Sequence, residues 1–266
     1  MAERNDQRDH GRDSMMRKAA TLGRQAVTED DLALINQLAA EEMTADQVFT
    51  FKAVLCDNKL DRHFERFTRK ALDELRALFM GKTVIKDHNP SADNQVARIY
   101  KTELVTSATE LVDGTTEPYT QLVAHCYMLT LESNADLIAE IKGGIKKEGS
   151  VGFRVSSAIC SICGTDNAKK YCRHWPGKTY DKDEGKVLCT FTLDGASDAY
   201  EFSLVAVPAQ RAAGVSKSYT GKTEYEPETP DNPPAPPEPG ADPEAAKELE
   251  MRARYVEARL RSNASK

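Results

Sequence analysis

Apolar and β-branched residues alternate with polar ones over much of the chain, and this pattern predicts strands. Every second side chain of a strand lies on the same face, so alternation marks a strand that is buried on one side. Six segments show it: VFTFKAVLC (48–56), VARIYKTELV (96–105), TQLVAHCYMLT (120–130), SVGFRVSSA (150–158), KVLCTFTL (186–193) and AYEFSLVAVPA (199–209). Together with few helices, they predict a domain of the α+β class that is mostly β.

Three other segments have helical spacing. DDLALINQLAA (30–40) repeats large apolar residues every three positions after two acids, which suit a helix N-terminus. FERFTRKALDELRALFM (64–80) places its large apolar residues on one side and precedes Gly81, a residue that often follows a helix. SNADLIAEIKGGIKK (133–147) has an apolar stripe and ends in two helix-weakening glycines. We expect these helices to flank the sheet.

Composition divides the chain into four regions. Residues 1–24 are too poor in large apolar groups to offset the entropy of ordering, which predicts a flexible N-terminal arm. A core domain is expected over residues 25–220. Residues 221–243 are rich in Pro, Glu and Asp, which predicts an extended acidic linker. Residues 244–266 predict a helix with an apolar stripe, which is either solvated alone or paired with a partner.

Composition also limits the possible functions. The 266 residues are 40% hydrophobic and 29% charged, with no apolar run near the roughly 18 residues of a membrane span. The N-terminus lacks the apolar stretch of a secretory signal, so we expect a protein of the cytoplasm in which it is made. A net charge of −6 makes nucleic acid an unfavoured partner.

Four of the six cysteines are clustered in a spacing typical of a metal site. CSICGTDNAKKYCRH contains C-x-x-C and then C-x-H, two pairs that can surround a tetrahedral zinc ion. The predicted ligands are Cys160, Cys163, Cys172 and His174. Cys189 is an alternative fourth ligand in place of the histidine, and unbound thiols in a loop are the simpler explanation. Because four protein ligands leave no position for water, the zinc is predicted to be structural and to order an insertion over 158–190.

Three polar residues in separate segments have the chemistry of a hydrolytic triad. His88 lies in a turn-forming segment, Ser150 heads a strand between two glycines, and Glu201 lies at the start of an apolar strand. A serine nucleophile needs a base near its hydroxyl and an acid that orients the base, and these can come from distant positions. Taken singly, each residue has a simpler explanation on a surface loop, in a turn or on an edge strand.

The motifs GKTVIKDH, SVGF and EFSLVAVPA carry these residues and occur in this order within residues 48–213. Their order and content resemble the prohead maturation proteases of tailed bacteriophages. The resemblance implies a herpesvirus-protease-like fold, a mostly antiparallel β-barrel with flanking helices. It also implies that Ser150 is the nucleophile, His88 the general base and acid, and Glu201 the group that orients His88 and stabilises its charged form.

Other residues could take parts of these roles. His63 and His125 remain alternative bases, although His63 suits a surface position and His125 lies in an alternating strand. Ser203 is expected to make an ordinary strand contact. Cys56 and Cys126 lie in apolar strands and are expected to be small buried hydrophobic residues.

The resemblance implies a serine endopeptidase of capsid maturation. Its substrates would be the major capsid protein, scaffold segments and the protease itself, inside the assembling prohead in the host cytoplasm. The C-terminal helix would resemble a scaffold segment and could mediate self-association. Two alternatives stay open: a non-catalytic capsid assembly scaffold, and a zinc-knuckle module that binds nucleic acid through the basic residues Lys169, Lys170, Arg173 and Lys178.

Overall fold

The structure is a computed structural model that describes residues 27–183 and 185–216. The predicted N-terminal arm, acidic linker and C-terminal helix lie outside the described residues. Two short 3-10 helices occur at Ala92–Asn94 and Glu132–Asn134. The other described elements are α1 (Glu29–Asn36), β1 (Val48–Asp57), β2 (Glu65–Phe67), α2 (Arg69–Leu78), β3 (Thr83–Lys86), β4 (Ala97–Leu111), β5 (Pro118–Leu129), α3 (Ala135–Lys142), β6 (Gly149–Cys160), β7 (Thr179–Lys182), β8 (Gly185–Leu188), β9 (Phe191–Leu204) and β10 (Gly214–Val215).

Strand β9 connects the parts of the main sheet that carry the predicted site. The strand order is β10-β1-β5-β4-β3-β9-β2, and β6 pairs with β9 outside this path. β6 runs antiparallel to β9 over its whole length. β2 and β3 pair with the two ends of β9 in parallel, so they share the edge that β6 leaves free. The His88 turn, which follows β3, therefore lies on one side of β9, and Ser150 lies on the other.

The described chain is α+β and mostly β, as predicted, but no closed barrel is found in it. The strand order ends at β10 without a continuous ladder that returns to β6. Local backbone bonds do join these two regions. The Gly149 N–H donates to the Ala213 carbonyl at 3.2 Å, and the Val215 N–H donates to the Lys147 carbonyl at 2.6 Å. The barrel implied by the resemblance remains a prediction.

Helix α2 supplies much of the buried core. Ala71, Leu72 and Leu75 are fully buried against the sheet. The helix begins later than the sequence predicts, because residues 65–67 pair with β9 as a strand instead. Thr68 then caps the helix, since its hydroxyl accepts the Ala71 N–H at 3.0 Å. Pairing with a neighbouring strand thus outweighs the helical spacing of this segment.

The two strands predicted after the insertion are divided differently in the structure. Leu188 ends β8, which pairs with β7 in a small separate hairpin, and β9 begins only at Phe191. β9 then continues as one strand of 14 residues through the segment DGASD. The sequence predicts no strand for that segment, but β6 pairs with β9 through it, with two register shifts in the ladder. β4 likewise extends to Leu111, beyond the predicted end of its strand at residue 105.

Candidate active site and metal centre

His88 lies in a tight turn directly after β3, and hydrogen bonds hold this turn against β9. Asp87 and His88 have positive φ angles of 54° and 52°, which residues other than glycine rarely adopt. The Asp87 N–H donates to the Leu204 carbonyl at 3.0 Å, and the His88 N–H donates to Ser203 Oγ at 3.0 Å. Strained backbone persists only where its surroundings hold it, and it is frequent at active sites. The turn directs the His88 ring to Glu201.

Glu201 lies on β9, where β6 and His88 cover its carboxylate. Its side chain is 12% exposed, and Oε1 lies 2.8 Å from His88 Nδ1. Gly152 is its direct partner on β6, and a Cβ atom at that position would lie 2.6 Å from Glu201 Oε1. The glycine therefore leaves the space that the carboxylate fills. With Glu201 ionised, the bond requires the imidazole proton on Nδ1 and leaves Nε2 as an acceptor.

Ser150 lies on the same face of the sheet as Glu201. It pairs with Ser203 in the β6–β9 register, and directly opposite residues of an antiparallel pair point to the same face. Ser150 is half-buried, and its hydroxyl makes no hydrogen bond to any residue that the structure describes. The fold thus brings Ser150 to the site with a free hydroxyl, without forming a hydrogen bond to His88.

Ser203 forms hydrogen bonds with both Glu201 and His88, a role that the sequence analysis did not predict. Its side chain is fully buried, and its hydroxyl donates to Glu201 Oε2 at 2.6 Å while it accepts the His88 N–H. The available signal was the E-x-S spacing, because residues two apart in a strand lie on one face.

Contact with Glu201 raises the pKa of His88. The hydrogen bond that the ring donates to the Glu201 carboxylate is the largest cause, partial burial opposes it, and the charges of Glu201 and Asp87 add to it. A raised pKa makes the neutral imidazole a stronger base. The Glu201 carboxylate therefore stabilises the charged form of the His88 ring.

The alternative bases lie in other surroundings. His63 is exposed in the loop before β2, and β2 pairs with the end of β9 that is remote from the site. His125 is buried on β5, where Nε2 lies 2.8 Å from Glu103 Oε1. Cys56 and Cys126 are fully buried, as expected, and burial raises the pKa of both thiols.

The four predicted metal ligands come together at the end of β6. Their ligand atoms all lie within 4.8 Å of one another in the set Cys160, Cys163, Cys172 and His174. The Gly164 N–H donates to the Cys160 carbonyl at 2.9 Å, and the positive φ of 70° at Gly164 permits the tight turn around the first cysteine pair. Three sulfur atoms and one nitrogen atom at these distances are compatible with a tetrahedral metal site.

His174 gives a separate indication that these residues fit a metal. Its Nδ1 atom is buried and has no hydrogen-bond partner among the described residues. Such atoms are rare, because an unpaired buried polar group is costly. The ring packs edge-on against Tyr180, with centroids 4.7 Å apart, and this contact restricts its orientation. Coordination to a metal would satisfy the unpaired nitrogen.

Cys189 places a fourth sulfur atom next to this group of three cysteines and one histidine. It is fully buried, and its Sγ lies 3.9 Å from the Sγ of Cys160. It does not belong to the four residues whose ligand atoms all lie within 4.8 Å of one another. The geometry therefore favours His174 as the fourth ligand and places Cys189 beside a ligand.

Comparisons with known proteins do not identify a family for this chain. No protein-family model matches the chain, and neither a curated protein nor a solved structure matches it significantly. Within residues 27–183 and 185–216, no helix has both the length and the apolar character needed to cross a bilayer.

Proposed function

We propose that the protein is a serine endopeptidase with Ser150 as nucleophile, His88 as general base and acid, and Glu201 as the acid that orients His88. The observation that carries this proposal is the 2.8 Å contact between His88 Nδ1 and Glu201 Oε1, which joins residues 113 positions apart. The β6–β9 register supports it, because it puts the Ser150 hydroxyl on the same face. Nucleophile, base and orienting acid are the three groups that serine-dependent acyl transfer needs.

In the proposed reaction, Ser150 Oγ attacks the carbonyl carbon of the scissile peptide while His88 Nε2 takes the hydroxyl proton. The imidazolium then gives that proton to the leaving amine, and Glu201 stabilises the cation through the Nδ1 hydrogen bond. Water next attacks the acyl-enzyme with His88 again as base, which releases the new carboxylate and restores Ser150. The proposed reaction requires a hydrogen bond between Ser150 Oγ and His88 Nε2, and such catalytic hydrogen bonds often tighten only when substrate binds.

We propose zinc as the metal held by the cluster at the end of β6. Three thiolates and one imidazole in tetrahedral arrangement are typical of structural zinc, whereas catalytic zinc keeps one position open for water. The bound ion would supply cross-linking of the insertion rather than acid–base chemistry. Ser150 on β6 precedes the first ligand, Cys160, by ten residues, so the metal would act on the strand and not on the substrate.

The proposed setting is maturation of a tailed-phage prohead, and it rests on the resemblance of the three motifs. The protein would cleave scaffold segments, the major capsid protein and itself inside the assembling prohead in the host cytoplasm, with self-association through its C-terminal residues. The herpesvirus-protease-like barrel belongs to this proposal. The backbone bonds between residues 147–149 and 213–215 support it, because they join the region of β6 to that of β10.

The experiment is to incubate the purified full-length protein with the scaffold and major capsid proteins of the same phage and to identify the products by mass spectrometry. Ser150→Ala is expected to abolish cleavage. Ser156→Ala is the matched control, because it removes an exposed serine hydroxyl from the same strand. A fluorophosphonate probe is expected to add to Ser150 in the wild-type protein. Cleavage that persists in Ser150→Ala, or a wild-type protein that neither cleaves nor takes up the probe, contradicts the proposal.

A further inference from the structure

We infer that Ser203 is a positioning residue of the proposed triad. Its hydroxyl holds the Glu201 carboxylate and the His88 turn so that Glu201 Oε1 and His88 Nδ1 stay in contact. This inference rests on the proposed function and adds a fourth residue to it. Ser203 does not touch the reacting atoms; it acts through the acid and the base.

The hydroxyl of Ser203 bridges two groups that the site must hold together. Its single proton goes to Glu201 Oε2 at 2.6 Å, and one of its lone pairs accepts the His88 N–H at 3.0 Å. The other carboxylate oxygen, Oε1, contacts His88 Nδ1 at 2.8 Å. Each oxygen of Glu201 therefore has a different partner, which fixes the rotation of the carboxylate about its last bond.

The position of Ser203 in the sheet makes this bridge rigid. Ser203 pairs with Ile85 on β3 and with Ser150 on β6, so its backbone is held on both sides. Its side chain is fully buried, and a buried hydroxyl needs partners. Its bond to the carboxylate is assisted by charge and is stronger than a neutral hydrogen bond. The backbone of Ser203 is thus paired with the strand of Ser150, while its side chain connects Glu201 to the turn of His88.

Loss of the hydroxyl would release both partners. The His88 N–H would lose its acceptor at the point where Asp87 and His88 have positive φ angles, so the turn would lose a restraint on an unfavourable conformation. Glu201 Oε2 would lose its only hydrogen bond from a described residue, and the carboxylate could rotate away from His88. The contact between Glu201 and His88 should weaken as a result.

The test is a titration of His88 by NMR, which does not depend on cleavage. The charged groups that act on the ring are Glu201 on β9 and Asp87 in the same turn. In Ser203→Ala we expect the pKa of His88 to fall, because the Glu201 carboxylate that raises it is less well placed. We also expect kcat to fall on the order of 10- to 100-fold with little change in KM. Ser203→Thr, which keeps a hydroxyl, should restore both values in part.

Thr68→Val is the matched control. The Thr68 hydroxyl has the same bonding pattern, because it donates to Asp194 Oδ1 at 2.7 Å and accepts the Ala71 N–H at 3.0 Å. These bonds cap α2 and do not reach the site, so this variant should lose stability and keep both the pKa of His88 and kcat.

The outcomes separate this inference from the proposed function. An unchanged His88 pKa in Ser203→Ala, or an equal change in Thr68→Val, overturns the positioning role whether or not the protein is a protease. A fall in the His88 pKa supports the role even if Ser150 proves not to be the nucleophile. If Ser203→Ala does not fold, Ser203→Cys keeps the side-chain volume with a weaker donor, and it must lower the His88 pKa for the inference to stand.

Discussion

Replacement of Gly152 by alanine tests whether the Glu201 carboxylate needs the space beside Gly152 in order to contact His88. The new Cβ would lie 2.6 Å from Glu201 Oε1, whereas ordinary contacts begin at 3.4 Å. The carboxylate must then move by about 0.8 Å, enough to take its 2.8 Å contact with His88 Nδ1 out of hydrogen-bonding range. A hydrogen bond to a charged group contributes about 1.5 to 3 kcal/mol. We therefore expect kcat/KM to fall roughly 10- to 100-fold.

The assay is kcat/KM on a peptide that spans a mapped cleavage site, with thermal unfolding measured in parallel to show that the variant folds. Glu201→Asp provides a second background, because its shorter side chain withdraws the carboxylate from position 152. In that background Gly152→Ala should cost little, since the clash that it creates no longer exists. The reasoning is refuted if Gly152→Ala keeps the wild-type rate, or if it costs the same in both backgrounds.

Two further predictions concern the metal and pH. Cys163→Ser and His174→Ala should each lower the metal content measured by mass spectrometry of the native protein, whereas Cys189→Ser should retain the metal. If Cys189→Ser loses the metal and His174→Ala keeps it, then Cys189 and not His174 is the fourth ligand. Burial raises the pKa of Asp57 to about 6 from 3.8, so the folded state binds this proton more tightly than the unfolded chain. The stability that it contributes, about 3 kcal/mol, is full below about pH 4 and lost as pH rises through about 6. Urea unfolding should show that loss in the wild-type protein and not in Asp57→Asn.

The alternation of side chains predicts β1, β5 and β6 well, misses part of the two longest strands, β4 and β9, and predicts the short strands poorly. β1, β5 and β6 lie within a few residues of their predicted limits because each carries enough alternating residues to define a face. β3 and β7 have four residues each, too few for a pattern. β2 is hidden because Phe67 fits the apolar side of a helix equally well, and only its pairing with β9 decides the matter.

The candidate site shows a different limit of sequence reasoning. The residue types at His88, Ser150 and Glu201 indicate acyl-transfer chemistry, but their meeting depends on which strands pair with β9 and in which register. Spacing along the chain does not contain that information. Gly152 was missed for the same reason, because its role exists only once β6 and β9 lie side by side. For Ser203 the E-x-S spacing places the hydroxyl on the face of Glu201, but its bond to the His88 turn depends on the pairing of β3 with β9.

The metal cluster and the candidate active site occupy opposite ends of one strand pair. β6 begins beside Ser150 and ends at Cys160, and β9 begins just after Cys189 and ends beyond Glu201. The two sites are thus separated by about ten residues, or roughly 30 Å at the rise of a strand, so a metal bound to the cluster would make no direct contact with the groups of the proposed reaction.

The strand pair can nevertheless connect them through its register. Two register shifts interrupt the β6–β9 ladder, at Gly152/Phe153 and at Arg154/Val155, so the ladder alone defines the alignment weakly there. A slip of one residue would turn Ser150 to the opposite face of the sheet. A metal bound at Cys160 would hold the far end of β6 against the insertion that leads into β9. A structural metal can therefore decide whether Ser150 faces Glu201 by limiting the registers that the two strands can adopt.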